Sequence, residues 1–126
     1  MALLETAIVA SDWLKAEDGS YRSRDTAIIA SGAGKLVSGT VLAKVAATGK
    51  YVPAAAAGSD GSQTAVAVLL FPVDATSADA KAVIVSRHAI ASHNGLTYGA
   101  TINDATKRAA ANAQLGAVGI IVRQGA

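Results

Sequence analysis

From residue 26 onward, apolar and polar positions alternate in short runs separated by turn residues. Residues 26–30 (TAIIA) form a short β-branched run, and 31–34 (SGAG) punctuate it. Residues 41–45 (VLAKV) place Val41, Ala43 and Val45 on one face, with Lys44 beside Leu42 on the other. Residues 49–53 (GKYVP) read as another strand, ended or edged by Pro53, which has no N–H for a ladder. The four alanines at 54–57 favour helix, but so short a run cannot offset helix nucleation, so a loop is expected. Residues 59–62 (SDGS) are a turn. Residues 65–71 (AVAVLLF) are apolar throughout, as in a strand buried on both faces. Residues 82–85 (AVIV) and 118–122 (VGIIV) read as further strands, and Asn94 with Gly95 predicts a hairpin turn.

One helix is predicted after Asn103 and Asp104, either of which can cap it by accepting first-turn N–H groups. Ala105, Ala109 and Ala113 then share a face suited to packing closely on a sheet. Asp104 and Arg108 have ion-pair spacing, and Gly116 supplies a left-handed terminus. The expectation is a mainly β domain with five to seven short strands and one or two short helices, for which a partly open barrel is one arrangement.

Residues 1–25 break this pattern. They hold five acids and three bases, whereas the remaining 101 residues hold four acids and eight bases. They show no sustained period, and Asp18-Gly19 is a turn signal. The reading is a polar arm (1–25) preceding a β domain (26–126). The arm nevertheless carries the chain's single Trp, Trp13, next to Leu14. A free arm gains nothing from a Trp, and Trp is favoured as an interface anchor.

Composition narrows the function. The chain has 126 residues, one domain's worth, and a formal charge of +2, too little for a dedicated nucleic-acid binder. The absence of Cys excludes disulfide scaffolds, thiolate zinc sites and cysteine nucleophiles. Thirty alanines against five aromatics imply a core poor in methyl groups, so stability is expected to gain from self-association or a partner. The longest apolar run, 65–73, is far short of the roughly 20 residues of a spanning helix. No secretion signal is read at the N-terminus, which lacks a basic region and is interrupted by Glu5 and Asp12.

Motifs for chemistry fail on inspection. Gly34-Lys35 lacks the preceding Gly and the following Ser or Thr of a phosphate loop. Gly32 and Gly34 begin a dinucleotide fingerprint that Val37 breaks. His88 and His93 stand five apart, which matches no zinc pattern, and the later acids are scattered. No catalytic, cofactor or metal site is expected. A small hydrolase using either His with a Ser or Asp would need them to meet in one pocket. Arg22, Arg24, Lys107 and Arg108 are the close basic pairs, and Arg can pair bidentately with carboxylates of a protein partner.

Four stretches carry a likeness. They are 21–25 (YRSRD); 38–42 (SGTVL) followed by 49–53 (GKYVP); 73–80 (VDATSADA) leading into 82–85 (AVIV); and 103–108 (NDATKR) through Leu115 to 119–123 (GIIVR). In this order and spacing the chain resembles the phage lambda-type head decoration proteins across Tyr21 to Arg123. The resemblance implies a small β-clip (β-tulip-like) domain with an extended N-terminal arm. It implies a non-enzymatic cement that sits as homotrimers on the outer surface of an expanded icosahedral capsid, at local three-fold sites, and resists DNA pressure. The partners implied are the major capsid protein and the chain's own copies, with no nucleic acid or membrane, and assembly in the host cytoplasm. On this reading Trp13, Leu14, Tyr21, Arg22 and Arg24 of the arm contact the capsid. The arm is longer than that of the lambda member and bears a Trp. The alternative is a carbohydrate-binding or adhesin-like β module on a virion, although aromatic platforms are few.

Overall fold

The computed structural model describes residues 9–17 and 23–124. Within them the chain forms α1 (Ala10–Trp13), β1 (Leu14–Glu17), β2 (Arg24–Ile29), β3 (Gly34–Leu36), β4 (Val41–Lys44), β5 (Tyr51–Pro53), β6 (Ala65–Leu69), β7 (Val73–Ala75), β8 (Ala80–Val85), β9 (Ala89–Ser92), α2 (Ala105–Ala117) and β10 (Ile120–Arg123). The mainly β expectation holds, with more strands than the sequence pattern reveals. β1, β3 and β7 have three or four residues each, too few to display an alternation.

Five strands close into a barrel in the order β2-β5-β4-β6-β8. β1, β9 and β10 form a second sheet with β9 in the middle, and β3 pairs with β7. The barrel strands bury side chains on both faces. Ile29, Leu42, Ala67, Leu69, Ala82 and Ile84 form one cluster. Val41, Ala43, Ala65, Val68 and Val85 join a second cluster with Trp13, Ala89, Ala91, Leu115 and Ile120. A bulge reconciles the two. Leu42 pairs with Ala67 but Ala43 pairs with Ala65, so Val66 is left out of the ladder and Ala65 shares a face with Val68. The continuous apolar run is thus a strand covered on both sides, as its composition predicts.

α2 begins where expected: the Asp104 carboxylate accepts the Lys107 N–H at 2.7 Å. The buried face differs from the predicted one. Ala111 and Leu115 are buried, while Ala105, Ala109 and Ala113 are exposed. Leu115 offers more apolar surface than any alanine, so its position sets which side meets the sheet. Gln114, beside it, accepts the Ala65 N–H at 2.8 Å and donates to the Gln63 carbonyl at 3.3 Å, tying the helix to the start of β6. Asp104 faces Lys107 at 3.9 Å, and Arg108 instead lies over the Tyr98 ring, 5.9 Å from its centroid. The helix runs past Gly116, and Gly119 takes the left-handed conformation (φ 89°).

One further expectation is corrected. Asn94 and Gly95 do not turn a hairpin; they lie in a single 3₁₀ turn, His93–Gly95, after β9. β9 pairs instead with β1 (antiparallel) and β10 (parallel). Gly95 is needed for close approach: a Cβ there would lie 2.5 Å from the Asp12 carbonyl oxygen and 2.7 Å from the Trp13 Cβ. Of residues 1–25, residues 10–17 form α1 and β1, β1 pairs with β9, and β2 begins at Arg24. Trp13 is fully buried. A four-residue helix followed by a four-residue strand leaves no period to read in the sequence.

Trp13→Ala should therefore cost about 3–5 kcal/mol, the range for removing a buried Trp, measured as a lowered urea midpoint. A segment lying free of the domain would show almost no change. Gly95→Ala should also destabilise, by roughly 1–3 kcal/mol of overpacking, whereas a hairpin-turn role for Gly95 would let Gly95→Asn pass unnoticed in the same assay.

Candidate functional site

Of the expected site residues, Trp13 ends α1, Leu14 opens β1 and Arg24 opens β2. Trp13 reaches the core because three backbone segments are shaped to receive it. Its indole N–H donates to the Ser38 hydroxyl at 2.9 Å, and that hydroxyl donates to the Leu70 carbonyl at 2.7 Å. Gly39, at φ 90°, passes so close that a Cβ would lie 3.0 Å from the indole Cδ1 and 2.7 Å from the Gly95 carbonyl oxygen. Among the described residues no buried side-chain N or O is left without a hydrogen-bond partner.

β1 follows immediately and pairs with β9, Ala16 opposite Ile90 and Glu17 opposite Ala89. Leu14 is half-buried and packs on the Trp13 cluster. Among the described residues β1 ends its sheet, so no described strand pairs with its other side. Glu17 closes the strand. Its carboxylate accepts from the Ser23 hydroxyl and from two nitrogens of Arg24, one of them Nε at 3.0 Å. The bond from Arg24, then that from Ser23, holds the Glu17 carboxyl below its ordinary range against the opposing effect of burial. Arg24 is thus committed to an acid of its own chain. Tyr21 and Arg22 lie outside the described residues.

Trp13 and Leu14 share one packed cluster, and Arg24 of β2 meets the end of β1 through Glu17. The sequence reading missed the residues that make this possible: Ser38, Gly39 and Gly95 as the seat of Trp13, and Glu17 as the partner of Arg24. The spacing from Glu17 to Arg24 is no known motif, and the Trp13 seat is assembled from positions 25 or more residues away.

The histidines end in separate surroundings. His88 is exposed before β9, at φ 53°. His93 follows β9, with Nδ1 2.9 Å from the Tyr98 hydroxyl and 3.2 Å from Asn112 Nδ2. Tyr98 donates to Asn112 Oδ1, and burial pushes its hydroxyl pKa up. These contacts fasten the 93–98 loop to α2. Among the described residues, neither His is hydrogen-bonded to a Ser or an Asp side chain. Among the described residues no three His, Asp or Glu side chains are grouped as a metal site requires, and no helix is long and apolar enough to cross a membrane. Gly34 and Lys35 lie in β3, opposite Ala75 and Asp74, not in a phosphate-binding loop.

The sequence model of the family described as bacteriophage lambda head decoration protein D matches residues 3–120. The chain belongs to this family. No curated protein matches it individually. Membership makes the chain a phage head decoration protein, of a family that is structural rather than enzymatic. The match starts at residue 3, so it takes in the N-terminal segment together with the barrel.

The Glu17–Arg24 contact predicts a pH dependence. Glu17 is lowered in the folded state, so its contribution is full above the ordinary Glu value of about 4.3 and is lost as pH falls through the lowered folded value. Glu17→Gln should lower Tm at pH 7, and the gap from the parent should close toward pH 3. A gap that stays constant across that range would show that the carboxylate charge is not what Arg24 and Ser23 hold.

Proposed function

We propose that the protein is a cement that binds the outer surface of expanded phage heads as homotrimers at local three-fold positions, strengthening the shell against packaged DNA. The observation that carries this reading is the family match over nearly the whole chain, N-terminal segment included. A cyclic trimer suits a three-fold site by symmetry, and three simultaneous contacts raise avidity by about 10² to 10⁴ over one. Assembly then takes place in the host cytoplasm, where heads are built.

The contact to the major capsid protein is assigned to β1 and the residues after it. An edge strand can accept an extended segment of another protein through main-chain hydrogen bonds, with flanking side chains giving specificity. In this arrangement Trp13 is a positioning residue: buried, it fixes the strand from behind. Leu14 backs the same strand, and Arg24 locks its end through Glu17. Tyr21 and Arg22 are the residues of this segment assigned to touch the capsid directly.

Binding is tested by sedimenting purified protein with empty expanded heads and counting bound copies. The parent should saturate at equal numbers of decoration and major capsid chains. Tyr21→Ala with Arg22→Glu should weaken binding at least tenfold while the circular dichroism spectrum stays unchanged. Absence of parent binding would overturn the cement reading. Unaltered binding by the double variant would overturn the assignment to residues 21 and 22. Deleting residues 1–20 is a poor test, because it removes Trp13 from the core along with the contact.

A further inference from the structure

A groove of about 490 Å³ lies between the loop that follows β9 and the first turns of α2. Its polar lining comes from His93, Asn94, Thr97, Tyr98, Asn103 and Arg108. Arg108 is the one permanent charge there, and no acidic side chain lines the groove. Arg24, Arg87, Lys50 and Lys107 each face a carboxylate of the chain, whereas Arg108 has none among the described residues. Its guanidinium lies instead over the Tyr98 ring, 5.9 Å from the centroid. Tyr98 is half-buried, and its hydroxyl is tied to Asn112 and to His93. The cation is thus held by a side chain that is itself fixed. The acid beside the groove, Asp104, is taken up by Lys107: it accepts that residue's N–H at 2.7 Å and faces its ammonium at 3.9 Å. Asn103 accepts from Lys107 Nζ at 3.2 Å through its oxygen, which leaves its amide N–H groups to donate. Asn94 is exposed, and its amide makes no bond within the described residues.

We propose that this groove binds a sugar acid, a saccharide unit of the hexuronate kind that carries one carboxylate among ring hydroxyls. Arg108 takes the carboxylate through its fork of N–H donors, with no carboxylate of the chain competing for it. The amides of Asn94 and Asn103 and the Thr97 hydroxyl answer the ring hydroxyls, since a hydroxyl both donates and accepts. The volume is that of a small-ligand site, which spans about 300–1,000 Å³. An acidic side chain of a protein partner offers the same carboxylate, but protein contacts are anchored by large apolar side chains. The five most exposed among the described residues are Val9, Ile28, Val37, Phe71 and Ile121, and none of them lines this groove. The neutral hydrogen-bonding groups around the cation therefore favour a saccharide. This inference concerns the free protein and does not depend on capsid binding.

The test is an NMR titration of the full-length protein, without capsids and at fixed ionic strength, following the backbone amides. Glucuronate should shift the resonances of residues 93–103 and 108 and saturate in the millimolar range. Glucose, which lacks the carboxylate, and acetate, which lacks the hydroxyls, should each bind roughly tenfold more weakly or worse. Arg108→Gln should abolish the glucuronate shifts while the rest of the spectrum stays in place. Asn94→Ala, at an exposed side chain without bonds of its own, should weaken glucuronate several-fold and leave acetate unchanged. An absence of shifts in this segment at high millimolar glucuronate would overturn the proposal, as would shifts that survive Arg108→Gln. N-acetylglutamate binding as tightly as glucuronate would move the site to an acidic side chain of a protein and overturn the saccharide assignment. Capsid binding is scored separately by sedimentation, so failure here and failure of the cement reading are distinguishable.

Discussion

Burial of one indole organises this domain. Trp13 stands at the junction of the three-stranded sheet, the β3–β4 loop and the end of β6, and its single N–H is the start of a two-bond relay through Ser38 to Leu70. An aromatic side chain brings 150–250 Å² of surface to be covered, a large share in a protein whose core is otherwise rich in alanine. Its polar edge must be satisfied once covered, or the gain is offset by desolvation. Ser38 does this, and Gly39 and Gly95 remove the side chains that would have occupied the space.

The barrel is built to a complementary rule. Its strands bury small residues, such as Ala43, Ala65, Ala67 and Ala82, among larger ones, such as Leu42, Leu69 and Ile84. The bulge at Val66 lets one uninterrupted apolar run serve both clusters without a polar position between them. The loops after β5 and β7 are held locally instead. Asp60 accepts from Ser62, and Asp74 from Thr76, both through backbone and hydroxyl, which lowers each carboxyl below its ordinary range.

Much of the fold was legible where local rules act alone. The β6 run, the strands at β2, β4, β5 and β8, the Asp104 cap and the alanine loop after Pro53 all follow from periodicity, ring closure in proline or capping chemistry within a few residues. What stayed hidden is set by distant partners. Ala105, Ala109 and Ala113 spell a packing face on paper, yet Leu115 turns the helix the other way. Asn94-Gly95 carries a hairpin signal, yet the approach of Trp13 uses that glycine differently. The candidate site shared this fate. Its residues were named, but not that Trp13 is bonded to Ser38 and Arg24 to Glu17, because neither Ser38 nor Glu17 stands at a spacing that announces a contact.

Closure of the barrel has a consequence for a protein displayed in many copies on one shell. A sheet with free margins, crowded against identical neighbours, is a template for runaway strand exchange between them. Here the five barrel strands close on themselves, β2 meeting β5 only at Ile29 and Tyr51, and the other sheets of the described residues end in strands of three or four residues, β1 and β10 in one and β3 and β7 in the other. Most of the sheet margins in the described residues are therefore short, which limits how far one copy can extend the sheet of another.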